Sequence, residues 1–226
     1  MKSKRTRRSY HHGDLKNALV DMSLEQIARH GVHALSLRDV ARRTGVSHTA
    51  SYRHFRSKES LLAAIAEQGF RRLSTSMRAA IAPHAADPAA ALQASGVAYV
   101  EFGVSCPNHL SIMFGGQIAQ ADYPGLAEAS QEAYALLISI VKQGLETGRL
   151  RGSDERTVTL AAWSIVHGLA QLIAGGQLQP KDMPPTATRD IVLAVTTLLH
   201  EGIAVSAPGS GKKEDVSPRS KQRARR

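Results

Sequence analysis

Apolar positions recur at helical spacing along most of this chain. Leu15, Leu19, Met22 and Ile27 make the first stripe, in a helix expected to stop at Gly31, with Asp14 as its cap. A short helix, LRDVARR, is expected after Ser36 and ends near Gly45. A third, HTASYRHF, is expected after Ser47, and a fourth after Ser57, with Glu59 and Ser60 in its first turn. Four helix starts within about 45 residues leave only sharp turns between them.

The fourth helix is long. Leu62, Ile65, Ala66, Phe70, Leu73, Met77 and Ile81 hold one face to about Pro83, so it leaves the first unit and connects it to a second. Helices are expected next over 87–105, 108–114, from Pro124 to near Gly148, over 154–174 and over 187–204. The helix over 154–174 is apolar nearly all round and is expected to be buried on most sides. No strand pattern and no internal repeat appears. The expected fold is all-α, with about nine helices. A three-helix unit over 13–60 is joined by the long connector to a helical domain over 61–205. The ends, 1–12 and 206–226, are polar and basic and are expected to be disordered.

Composition narrows the class. The chain is 42% apolar but only 4% aromatic, which suits helices packed through Ala and Leu. Its one cysteine, Cys106, excludes an internal disulfide framework and argues against a cysteine zinc site. The charged start has no apolar run after it, and the greasiest window, 158–174, is interrupted by Thr159, Ser164, His167 and Gln171. A soluble, cytoplasmic protein without membrane contact is expected.

The net charge of +10 is unevenly placed. Residues 1–12 hold five Lys/Arg, and 206–226 hold seven against Glu214 and Asp215. Residues 13–60 carry eight basic and five acidic groups, and 61–205 carry nine and twelve. Basic ends on a basic first quarter point to a polyanion, although basic tails also serve simply as solubilising ends.

The second and third helices have the layout of a helix-turn-helix, with a tight turn at Gly45. Ala41 lets the helices cross closely and Val46 plugs the seam. In such a unit the second helix lies in the major groove. Ser47 and the helix N-terminus offer donors to a phosphate. His48, Thr49 and Arg53 reach bases or backbone, and Tyr52 and His54 carry polar tips on rigid rings. Lys58 and Arg38 point the same way.

The run SLRDVARRTGVSHTASYRHFRSKESLL, residues 36–62, resembles the DNA-binding domain of TetR/AcrR-family transcriptional regulators, and the resemblance covers about residues 12–70. It implies base contacts from Arg38, His48 and Thr49, and phosphate contacts from Ser36, Tyr52, His54 and Lys58. Arg53 stands where members contact either backbone or base. Ser51 departs from the pattern, standing where many members have Leu or Val; it weakens the seam, or that face is less buried here.

The resemblance makes the second domain the effector-binding and dimerisation part. LAAWSIVHGLAQL, residues 160–172, resembles the subgroup marked by Trp, His and Gly, here Trp163, His167 and Gly168. Two readings of Trp163 and His167 stand: they line a ligand cavity, or they are core residues with His167 hydrogen-bonded inside. Phe102, Met113, Phe114, Tyr123 and Tyr134 are the other large groups expected to point into a cavity. Such a list suits an apolar or amphipathic small molecule. Gly168 is expected to admit a neighbouring helix. The helices over 154–174 and 187–204 resemble the pair that dimerises these proteins, so a homodimer on a palindromic operator, usually a repressor, is implied.

An enzyme is the first rival. The ten His are scattered, and there is no G-x-S-x-G, no P-loop and no paired Cys, so no catalysis, metal or cofactor is expected. A sequence-tolerant, nucleoid-type DNA binder is the second rival. The large acidic second domain argues against it.

Overall fold

The computed structural model of the chain describes residues 12–152, 154–178 and 185–203. The expectations for 1–11 and for the tail, 206–226, lie outside the described residues.

Nine α-helices make up the described residues: α1 (His12–His30), α2 (Leu37–Thr44), α3 (His48–His54), α4 (Lys58–Ile81), α5 (Pro88–Ser105), α6 (Pro107–Phe114), α7 (Pro124–Glu146), α8 (Glu155–Ala174) and α9 (Pro185–Ile203). The fold is all-α.

Local chemistry sets most of the ends. Ser47 accepts a bond from Ala50 N–H at 3.1 Å, opening α3. Ser57 and Ser60 cap each other reciprocally, each side chain taking the other's N–H at 3.1 Å, which opens α4. Asp87 takes Ala89 N–H and Ala90 N–H at 3.1 and 3.3 Å, and Pro88 fills the first position of α5. Two expected caps differ. α1 begins at His12, so Asp14 lies inside its first turn rather than before it. Ser36 holds the cap position of α2, but its hydroxyl makes no cap bond. A single 3-10 turn at Val32–Ala34 bridges α1 to α2, where the sequence pattern predicts only a loop.

α4 is the spine. It packs on α5, α6 and α7, and α1 reaches both α4 and α6. One core cluster therefore runs unbroken from Leu19 and Val40 in the first unit, through Leu61, Ile65 and Phe70 on α4, to Leu110, Leu126 and Ala170. A second cluster around Leu92, Leu137, Val141, Leu150 and Val158 closes the far end. Each fully buried Leu or Ile contributes about 1.5–3 kcal/mol.

Two glycines leave room for a neighbouring helix. A Cβ on Gly69 would lie 2.5 Å from Met113 Sδ, so the α6 side chain packs directly on the α4 backbone, and one on Gly103 would lie 2.9 Å from Ala170 Cβ, so α5 meets α8 nearly backbone to backbone. The sequence pattern gives this part to Gly168 instead. A Cβ there meets nothing within 4 Å, because Gly168 lies on the outward side of α8.

α8 also corrects the sequence reading. Val158, Ala162, Val166, Leu169, Ala170 and Ile173 are buried, but Leu160, Ile165 and Leu172 stand 50%, 39% and 42% exposed. Only one stripe faces the core, packed on α5, α7 and α9. At 20 residues α8 is also longer than the apolar window 158–174, and by length and composition alone it could cross a membrane.

Candidate nucleic-acid interface and ligand cavity

The turn before α3 depends on Gly45, at φ 77° and ψ 24°, a left-handed conformation that favours glycine. Its closure is completed by Val46 N–H, which donates to Ala41 O at 3.0 Å, and Ala41 is 1% exposed. The two helices thus meet across a small residue, as expected.

α3 is almost wholly presented outward. His48, Thr49, Tyr52 and Arg53 are exposed, and His54 is half-buried. The rings of His48 and Tyr52 meet at a tilt of 59°, their centroids 4.5 Å apart, so one turn of helix brings both into contact. Ser47 and Arg38 are exposed nearby, and Ser36 and Lys58 are half-buried at the rim. Lys58 Nζ donates to His33 O at 3.0 Å, which anchors the side chain and leaves two of its protons for another acceptor. All nine predicted residues therefore lie on or beside one surface formed by α2, α3 and the start of α4.

Ser51 is the single buried residue of α3, at 0% exposure. The face is not less buried than expected; a small residue sits in it. Its hydroxyl donates to His48 O at 2.8 Å, so no polar group is stranded. Phe55, which follows α3, is 2% exposed and belongs to the core cluster. Sequence reasoning passed over Arg42, Arg43 and Arg56, which are exposed cations on or beside the same elements. Arg42 is held by Asp39 at 2.9 Å in an exposed pair, worth about 0–1 kcal/mol.

In the second domain a cavity of about 380 Å³ lies between α4, α5, α6, α7, α8 and α9. Of the seven residues predicted to line one, Phe114, Tyr134 and Trp163 do so. Phe102 and Met113 are core residues at 6% and 4% exposure, turned into the α5 and α6 packing. Tyr123 packs against the core from the cap position of α7. His167 stands one layer back, with Nδ1 bonded to the Tyr99 hydroxyl at 2.8 Å. Tyr99 does line the cavity, as do Phe70, Leu73, Met77 and Leu92 on α4 and α5. The α4 and α5 residues carried no sequence signal beyond an ordinary core stripe.

Trp163 Nε1 donates to the Tyr99 oxygen at 3.4 Å, and Gln171 Nε2 lies 3.4 Å from His167 Nε2. Burial pushes the Tyr99 phenol up to about 12, and burial lowers the His167 imidazole. Both groups are therefore neutral near pH 7. A chain of contacts leads from the cavity wall to Gln171, on the exposed side of α8.

One joint ties the body to the first unit, and a second ties α6 to the connector α4. Ala119 N–H, in the loop after α6, donates to Glu59 Oε1 at 3.2 Å in the first turn of α4. On α6, buried His109 meets Gln68 Oε1 at 3.0 Å. Burial, with Arg72 nearby, lowers the His109 imidazole to about 4, so it is neutral near pH 7.

Comparison with known proteins accords with this anatomy. The model of bacterial regulatory proteins of the tetR family matches residues 19–65, and that of the tetracyclin repressor-like C-terminal domain matches residues 92–196. No curated protein matches the chain. Among solved structures, a protein of unknown function from Rhodococcus sp. RHA1 is 32% identical, with 88% of this chain and 100% of that one covered and a TM-score of 0.74. A tetR-family regulatory protein from Rhodococcus RHA1 has the same fold at 18% identity, with 85% and 98% covered and a TM-score of 0.69. So does the TetR family transcriptional regulator PfmR from Thermus thermophilus, at 21% identity, with 81% and 97% covered and a TM-score of 0.65. The two matched regions together take in the helix-turn-helix and most of the cavity wall, and the chain belongs to the TetR family of DNA-binding transcriptional regulators.

Proposed function

We propose that this regulator is a cytoplasmic homodimeric repressor, which holds a roughly palindromic operator and is released by a small apolar or amphipathic ligand. The observation that carries the reading is α3, which turns four exposed polar side chains outward and buries only Ser51. Arg38, His48 and Thr49 take the base contacts. Ser36, Ser47, Tyr52, His54 and Lys58 take phosphates, and Arg53 takes either. The uncapped Ser36 hydroxyl supports its part, since its oxygen is not used by the α2 N-terminus. Residues 13–60 form the reading domain, and 61–205 form the effector and dimerisation domain. Trp163, His167 and Gly168 support assigning that domain to the Trp-His-Gly subgroup.

Dimerisation is supported by a bare apolar face. Leu160, Ile165 and Leu172 on α8 and Leu193 and Leu198 on α9 are all exposed, with Gly168 between them on the α8 side. Two such faces together make a four-helix contact and set two α3 helices about one DNA turn apart. Ligand between α4 and the outer helices shifts α4 and changes that spacing. The ligand acts by binding the DNA-incompatible state more tightly.

The sequence-tolerant DNA binder is disfavoured by the apolar cavity, which non-specific binding does not use. The test is selection of genomic fragments by the purified full chain, followed by footprinting and competition. A protected palindrome that random DNA does not displace is expected. Equal competition by random DNA sinks the operator reading, and unchanged operator affinity with a ligand bound sinks the release mechanism.

A further inference from the structure

Resting on the effector-cavity reading above, we infer that the ligand is an uncharged molecule of the ketone, aldehyde or ester class, with a long apolar body and an oxygen held by the indole N–H of Trp163. Three observations converge on this class.

The first is charge. Among the described residues, the cavity wall contains no Asp, Glu, Lys, Arg or His. A carboxylate or an ammonium would leave water and meet no counter-charge, and the wall offers nothing to offset that loss. The apolar body instead lies against Phe70, Leu73, Met77, Leu92, Val166 and Leu199.

The second is how the polar wall groups are used. Ser95 Oγ donates to Leu92 O at 2.8 Å, Thr196 Oγ1 to Val192 O at 2.8 Å, and Ser130 Oγ to Ala127 O at 3.0 Å. Gln93 Nε2 donates to Thr197 Oγ1 at 3.0 Å. These donors are committed to the protein's own backbone and side chains, and the remaining polar wall groups beside Tyr99 and Trp163, namely Gln120, Gln131 and Tyr134, are exposed to solvent.

The third is the direction of the Tyr99 network. Gln171 Nε2 faces His167 Nε2, so that nitrogen accepts and His167 carries its proton on Nδ1, donating it to the Tyr99 oxygen at 2.8 Å. The Tyr99 oxygen also receives Trp163 Nε1–H, so the Tyr99 O–H is a further donor on this wall and the oxygen has no capacity left to accept from a ligand. The indole N–H is the loosely held one: at 3.4 Å its bond is stretched beyond the usual N–H···O distance of about 2.9–3.0 Å. It is a weakly held donor on an apolar wall. An entering carbonyl oxygen satisfies it and brings no proton that needs an acceptor.

Trp163 is the only tryptophan in the chain, so its emission reports on the cavity directly. The full-length protein is titrated at neutral pH with methyl nonyl ketone, decanoate and decylamine, which are similar in length. The ketone is expected to shift the emission at micromolar concentration, with both charged probes at least about tenfold weaker. Calorimetry then compares Trp163→Phe, which keeps an aromatic ring and removes the donor. Ketone affinity is expected to fall by about three- to tenfold, the worth of one neutral hydrogen bond. Circular dichroism melting confirms that the variant is folded. Equal binding of decanoate or decylamine, no binding of the ketone, or an unaltered affinity in folded Trp163→Phe each overturns the inference. Ketone binding with the operator complex left intact supports the ligand class and overturns the effector reading instead.

Discussion

α3 and α8 each leave a face without a partner, and the two faces have opposite chemistry. α3 is seven residues long and shows His48, Thr49, Tyr52 and Arg53 to solvent. α8 is twenty residues long and shows Leu160, Ile165 and Leu172. Neither face is explained by the stability of one chain. A polar helix this short draws its shape from what holds it: the Ser47 cap, the Gly45 turn and the buried seam at Ala41 and Ser51. An apolar face of this size, left in water, forgoes the burial that a second copy would supply. The difference teaches that exposure alone does not identify a partner. The chemistry of the exposed atoms does: a phosphate-lined groove suits one face, another apolar helix pair suits the other.

The largest expected effect comes from breaking the α8–α9 face. Ile165→Glu with Leu198→Glu puts charges on side chains that are already exposed in the single chain, so the fold is kept. Sedimentation is expected to report a monomer, and operator affinity is expected to fall by about a hundredfold or more, because one reading head meets one half-site alone. A stable dimer in the double variant breaks the comparison.

The next effect lies between the two regions, at the α4–α6 joint. His109 is neutral in the fold, with its pKa lowered to about 4 by burial and Arg72, while an unfolded His titrates near 6.5. The unfolded chain therefore takes up the proton first as pH falls. The contribution is fully present above about pH 6.5 and is lost as pH drops toward about 4, amounting to about 3 kcal/mol. Denaturant unfolding at pH 7.5 and pH 5 is expected to show this slope in the parent and a flatter one in His109→Gln. Parallel slopes would remove His109 from the account.

A smaller effect sharpens the polar face. Arg38→Ala is expected to weaken operator binding by about 1–3 kcal/mol and to relax preference at one base pair in each half-site, with the dimer unchanged. Uniform weakening on operator and random DNA, with a lower salt slope, would make Arg38 a phosphate contact instead.

The head was legible in the sequence because its signals are local. Ser47, Ser57 and Gly45 each act within four residues, and their caps and turn appear where expected. Ser36 shows the limit: it stands at its cap position, but whether its hydroxyl bonds there depends on a rotamer set by its surroundings. The cavity was legible only in part. Phe114, Tyr134 and Trp163 line it, whereas Phe102 and Met113 have the same size and spacing but turn into α5 and α6 packing. Helical periodicity places a residue on a face; it does not say whether the neighbour of that face is a helix or an open space.

By itself, the sequence determined the all-α class, most of the helix ends, the reading helix with its polar surface, and the family. These follow from caps, turns and periodicity, which are interactions between residues close in the chain. Only the tertiary structure decided that α8 buries one stripe rather than most sides, that Ser51 fills a sealed seam, and that Gly69 and Gly103, not Gly168, admit a neighbouring helix among the described residues. Only it brought Tyr99 on α5 to Trp163 and His167 on α8. Contacts between residues more than sixty positions apart depend on how whole helices cross, and helix crossing is settled by the summed packing of many side chains rather than by any local pattern.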